Sequence, residues 1–84
     1  MIIYKYEIAL GQDTIKVPRG AKYLDCQMQG GTAVLWFEVD YDLRNTEEEL
    51  GCAILFTGQE YEITGLEYRK TLQVNGLVYH VYLG

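Results

Sequence analysis

Asn75-Gly76 constrains this chain more than any other pair of residues. It sits inside residues 66–83, where polar and apolar residues alternate on both sides of it. Such a pair favours the type I′ turn, whose twist matches that of two antiparallel strands. Counting outward, the hairpin pairs Val74 with Leu77, Leu72 with Tyr79, Lys70 with Val81 and Tyr68 with Leu83 on one face. Gln73 with Val78, Thr71 with His80 and Arg69 with Tyr82 share the other. A second hairpin over residues 21–40 turns at Gly30-Gly31, again suited to positive φ. Its register pairs Met28 with Ala33, Cys26 with Leu35 and Leu24 with Phe37, all apolar. The opposite face holds Gln27 with Val34, Asp25 with Trp36 and Tyr23 with Glu38, so Trp36, Tyr23 and Val34 are expected there together.

The remaining segments read as further strands. Residues 2–10 alternate, with Ile2, Tyr4, Tyr6, Ile8 and Leu10 on one face and Lys5 and Glu7 on the other, the pattern of a strand with one buried side. Thr14–Val17 is a short strand with Ile15 and Val17 inward, and Pro18-Arg19-Gly20 a turn. In the connection 41–49, Thr46 and Glu49 have capping-box spacing, which predicts a single helical turn ended by Gly51. Cys52–Phe56 is a continuous apolar run, as expected of a central strand buried on both sides. Tyr61–Thr64 is a short extended piece. Eight tyrosines in so short a chain favour strands, since aromatic rings fit a pleated, half-buried surface. The expectation is one all-β domain over residues 1–84, mostly antiparallel. It is a small sandwich or barrel of six or seven strands around a meander core, with at most one helical turn.

Size and charge narrow the function. A chain of 84 residues buries roughly 60–65% of its unfolded surface, so a monomer has little room for a large ligand cavity. A dimer would add stability by burying an edge or an apolar face. The net charge of −5 argues against direct nucleic-acid binding, which works through Lys and Arg on phosphates. It suits an acidic protein that meets a basic surface. The N-terminal residues lack a basic leader pattern, and no run approaches the roughly 18 apolar residues of a membrane span. Cys26 and Cys52 make no disulfide framework. Free, buried thiols in a reducing cytoplasm are expected.

Little in the sequence points to catalysis. His80 is the sole histidine and has no sequence-local Ser or Cys partner, so it reads as a half-exposed strand residue beside Thr71. Both cysteines fall on core positions and read as inert thiols. With no C-x-x-C and one histidine, a zinc site is not expected. Glycine-rich phosphate signatures are absent. No cofactor is implied.

Two features point to binding. Carboxylates crowd residues 38–49: Glu38, Asp40, Asp42, Glu47, Glu48 and Glu49, with Arg44 alone in opposition. One reading is a solvated edge and loop; the other is an electronegative patch for a basic partner. Asp40-x-Asp42-x-Arg44-Asn45 opens like a calcium loop, but Arg44 replaces an oxygen ligand and no glycine stands at the sharp turn. The second feature is the outward set Tyr23, Trp36 and Tyr82. It is either an interface anchored on the tryptophan or a face covered by another segment, such as Tyr61–Thr64.

In their order along the chain, IYKY at 3–6, VPRGAKYLDCQMQGG at 17–31, LWFEVD at 35–40, FTGQEYEI at 56–63 and VYHVYLG at 78–84 resemble a family of small uncharacterised phage and prophage proteins, described as a domain of unknown function. Where that family often reads G-H-P-I, this chain has Gly58-Gln59-Glu60-Tyr61 and offers no histidine. The resemblance implies a phage-encoded accessory protein without supplying an activity. By analogy with other small acidic phage proteins, the expectation is a non-enzymatic binder that blocks a host defence factor, including CRISPR machinery. The expected contacts are Glu38, Asp40, Asp42, Glu47, Glu48, Glu49, Trp36 and Tyr23. One alternative is an oligomeric sponge for a nucleotide signal, with Lys5, Lys16, Arg19, Arg69 and Lys70 on the phosphates. Another is a virion structural protein assembling through sheet edges.

Overall fold

The computed structural model describes residues 1–84. It has seven strands: β1 (Ile2–Ile8), β2 (Thr14–Val17), β3 (Lys22–Gln29), β4 (Thr32–Val39), β5 (Glu48–Phe56), β6 (Glu67–Val74) and β7 (Leu77–Leu83). All pairings are antiparallel. They form a three-stranded sheet in the order β1-β4-β3 and a four-stranded sheet in the order β2-β5-β7-β6. The all-β expectation holds, and the strand order is richer than a meander. Only β3–β4 and β6–β7 are local hairpins; β1 crosses to β4, β2 to β5 and β5 to β7.

Alternation places the core between the sheets. Ala33, Leu35, Phe37 and Val39 of β4 meet Val81, Leu83, Cys52 and Leu72 from the second sheet, with Ile8, Ile15, Val17 and Cys26 completing the buried cluster. Phe37 is fully buried and has the rings of Tyr6 and Tyr23 edge-on at 5.7 and 6.2 Å, a favoured aromatic geometry. Both hairpin turns are type I′ in form, with φ positive at Gly30 and Gly31 and at Asn75 and Gly76.

Three local expectations are corrected. The helical turn lies at Tyr41–Leu43, with Asp40 as its N-cap accepting the Asp42 N–H at 3.0 Å. Thr46 and Glu49 form no capping box, because Thr46 accepts the Arg19 N–H at 3.0 Å and donates to the Leu43 carbonyl. Freed from a helix, the chain enters β5 at Glu48, well before Cys52. Residues 61–64 form no strand. Tyr61 lines a cleft with Ala53, Leu55 and Phe56, and Leu66 lies against Gly51, so the segment is placed along the second sheet and not the first.

The hairpin registers hold near the turns and then shift. In β3 the shift falls between Tyr23 and Asp25, leaving Leu24 as an extra residue; in β6 it falls between Tyr68 and Lys70, leaving Arg69. These are β-bulges on edge strands, where they are commonest. Beyond them Tyr23 sits opposite Phe37, and Tyr68 opposite Tyr82. The expected pairs Leu24–Phe37, Tyr23–Glu38, Tyr68–Leu83 and Arg69–Tyr82 are therefore replaced.

Candidate interaction surface

The outer face of the first sheet is built on β4. With Phe37 and its neighbours inward, Val34, Trp36 and Glu38 point out. The register puts Trp36 between Lys5 and Asp25, Glu38 between Ile3 and Lys22, and Val34 between Glu7 and Gln27. Trp36 and Glu38 are half-buried. Ile3 is 60% exposed, and Leu24, pushed out by the bulge, is 40% exposed. The face thus presents a central indole, two exposed aliphatic side chains and charges of both signs.

Tyr23 does not join it. The bulge turns it inward against Phe37, and burial pushes its phenol up to about 12. The guanidinium of Arg69 lies over the Tyr23 ring, 5.2 Å from its centroid. Arg69 Nη2 meets Glu67 at 3.4 Å, and its Nε is buried without a hydrogen-bond partner. Beside this pair, Lys70 Nζ donates to Asp25 Oδ1 at 2.6 Å. The hydrogen bonds from Lys70 and then Gln27 hold the Asp25 carboxyl at about 2. The two bulged edges, β3 and β6, are thereby clasped across the seam between the sheets.

The acidic residues separate into three groups. Glu38, Asp40 and Asp42 continue from the Trp36 face into the turn that follows β4. Glu47 and Glu49 lie on the β2–β5 edge, where Glu47 meets Lys16 Nζ at 3.4 Å and Glu49 stands opposite Lys16. Glu48 accepts the Gly20 N–H at 3.1 Å and ties the 18–20 turn to β5. Glu47 and Glu48 are therefore engaged within the chain rather than free for a partner. Arg44 stacks 3.7 Å from the Tyr41 ring centroid and donates to the Tyr41 carbonyl.

On the second sheet, His80 is held at both ring nitrogens. Thr57 Oγ1 lies 2.7 Å from Nε2 and Thr71 Oγ1 3.1 Å from Nδ1; the Tyr68 hydroxyl lies 2.7 Å from Thr71 Oγ1. The Thr71–His80 pair was legible from the hairpin register. Thr57, 23 residues away, and Tyr68, which only the bulge turns outward, were not. The four side chains tie the start of the 57–66 loop to the β6–β7 hairpin. Burial raises both thiols to about 11, so neither Cys26 nor Cys52 carries thiolate character at neutral pH.

Enclosed space is limited. An apolar cleft of about 80 Å³ opens at the hairpin-turn end between Ile8, Met28, Ile54, Leu72 and Tyr79, against the roughly 300 Å³ and above of small-molecule sites. A wider, open cleft of about 590 Å³ runs between β3 and β6 beside Lys70. The five candidate phosphate contacts do not converge. Lys16, Arg69 and Lys70 each pair with a carboxylate, Lys5 lies beside Trp36, and Arg19 stands in the 18–20 turn. No three His, Cys, Asp or Glu side chains group as metal ligands. No helix is long and apolar enough to cross a membrane.

A family model described as a domain of unknown function, DUF7352, matches residues 1–84. No curated protein and no solved structure matches the chain.

Proposed function

The chain belongs to the DUF7352 family, and we propose that it acts by binding a protein partner through the outer face of its first sheet. The observation that carries this reading is Trp36. It stands half-buried on the central strand of that sheet, between Lys5 and Asp25, with exposed Ile3 and Leu24 nearby and buried Val34 two residues before it. Tryptophan is among the residues enriched at the energetic centres of interfaces, where a ring of weaker contacts excludes water. Glu38, Asp40 and Asp42 give one side of the face negative charge, and the chain carries −5 overall. The favoured partner therefore has a basic rim around an apolar pocket. The resemblance of its sequence segments to small phage and prophage proteins suggests a phage-encoded accessory factor that occupies such a surface on a host defence component in the bacterial cytoplasm. No catalytic step enters this reading.

Capture from host lysate on the tagged chain, followed by titration against the purified partner, tests the proposal. Trp36→Ala should weaken the complex by about 2 kcal/mol or more, roughly thirtyfold in Kd. Glu38→Lys should weaken it and reduce its salt dependence, while a Glu47→Lys/Glu49→Lys variant should leave it nearly unchanged. A partner indifferent to Trp36→Ala would remove this face from the account.

A further inference from the structure

Two sheets have four edges, and this chain protects three of them. The β3 and β6 edges are bulged and clasped to each other through Asp25 and Lys70. The β2 edge is only four residues long. β1 is different: seven residues in unbroken register with β4, no bulge, and no other strand beside it. Natural sheets rarely leave such an edge open.

Its hydrogen-bonding groups can be assigned. In a two-residue hairpin the pair that closes the turn exchanges both backbone hydrogen bonds, and bonded and non-bonded pairs then alternate. Gln29 and Thr32 close the β3–β4 turn, so Val34, Trp36 and Glu38 bond β3, whereas Ala33, Leu35, Phe37 and Val39 bond β1. Their partners are Ile8, Tyr6, Tyr4 and Ile2. The N–H and C=O groups of Ile3, Lys5 and Glu7 therefore point away from the sheet. Those of Ala9, next in the series, are occupied by Gln12 at 3.2 Å. Along the same margin the inward side chains Ile2, Tyr4 and Tyr6 are only half-buried, so the core is left partly open where β1 ends the sheet.

We infer that β1 pairs antiparallel with β1 of a second copy, about a two-fold axis at Tyr6. Charge selects this register. Centred on Tyr6, Lys5 of each copy stands opposite Glu7 of the other, twice per dimer, and both residues have outward backbone groups ready to bond. On the inward side the half-buried Tyr6 meets Tyr6, and half-buried Tyr4 stands opposite Ile8, which is already part of the core. Centring on Lys5 opposes two lysines, and centring on Tyr4 opposes Lys5 to Ile3; opposite charges favour, and like charges disfavour, such cross-strand pairs. The product is a continuous six-stranded sheet that leaves both Trp36 faces open.

Sedimentation over a concentration series, with amide hydrogen exchange, tests the inference. The full chain should dimerise, and the Lys5 and Glu7 amides should gain protection with concentration while those of Tyr4 and Tyr6 stay protected throughout. Lys5→Glu and Glu7→Lys should each weaken the dimer roughly tenfold, and the exchange Lys5→Glu/Glu7→Lys should restore it. Lys5→Pro, which removes the Lys5 charge and an outward N–H but none of the β1–β4 hydrogen bonds, should abolish dimerisation while circular dichroism shows the fold retained. A folded chain that remains monomeric at about 1 mM, or a dimer indifferent to Lys5→Pro, overturns the inference. Failure of the double variant to restore what both single changes lost overturns the Tyr6-centred register.

Discussion

The β3–β4 and β6–β7 hairpins are one backbone design used with opposite faces. Each turns through two residues of positive φ, and each carries a bulge six positions before its first turn residue, at Leu24 and Arg69. In the first, the pair closing the turn points outward; in the second, Val74 and Leu77 share the side of the buried Leu72 and Val81. The same bulge therefore has opposite consequences: it brings Tyr23 into the core against Phe37 and sends Tyr68 out against Tyr82. The outer faces differ to match. On the second hairpin, His80, Thr71 and Tyr68 satisfy one another and bind Thr57. On the first, Trp36 has no such partner. A polar face that satisfies itself is structural; a half-buried indole with exposed Ile3 and Leu24 beside it, on an equivalent scaffold, is what the binding proposal rests on.

The largest effect should come from the centre of the first hairpin. Phe37→Ala removes a fully buried ring and should cost about 3–5 kcal/mol, a large share of the roughly 5–10 kcal/mol expected for a domain this size. Urea unfolding should show the variant largely unfolded or close to it. Trp36→Ala, one residue along on the outer face and half-buried, should cost about 1–2 kcal/mol. Equal losses at the two positions would mean that Trp36 is packed as core in solution.

Much of this comparison was legible in the sequence. Asn75-Gly76 and Gly30-Gly31 locate the turns, and alternation gives the register as far as Asp25–Trp36 and Lys70–Val81. The bulges were not legible, because neither Leu24 nor Arg69 is a residue that marks one. They arise where two edge strands must twist to meet, which is a tertiary requirement. That single omission misplaced Tyr23 in the candidate site. The acidic stretch reads differently for a related reason: two of its carboxylates have partners far along the chain, since Glu48 is drawn in by Gly20 and Glu47 lies beside Lys16.

Intermediate effects separate turn from face. Gly31→Ala and Gly76→Ala each force a side chain into φ near +82° or +81° and should cost about 1–2 kcal/mol. Equal costs would confirm that the two turns are equivalent. Thr57→Val should cost about 0.5–1.5 kcal/mol and speed amide exchange in the 57–66 loop, leaving the first hairpin untouched. Loss of protection in β3 or β4 would show that the hairpins do not respond independently.

The smallest effect concerns what joins them. Asp25 and Lys70 occupy matching positions, each immediately after its bulge, and they bind one another. Because hydrogen bonds from Lys70 and Gln27 lower the Asp25 carboxyl to about 2, below the roughly 3.9 of an unfolded chain, the folded state favours its ionised form. The unfolded state then binds more protons as pH drops, so this contribution is complete above about pH 5 and is lost progressively as pH falls toward about 2. In Asp25→Asn it is missing at every pH. Plotted against pH, the urea midpoints of wild type and variant should run parallel above about pH 5 and converge between 4 and 2. Curves that stay parallel down to pH 2 would mean that the clasp is not formed in solution. The seam would then rest on the stacking of Arg69 over Tyr23 and on the core packed between the sheets.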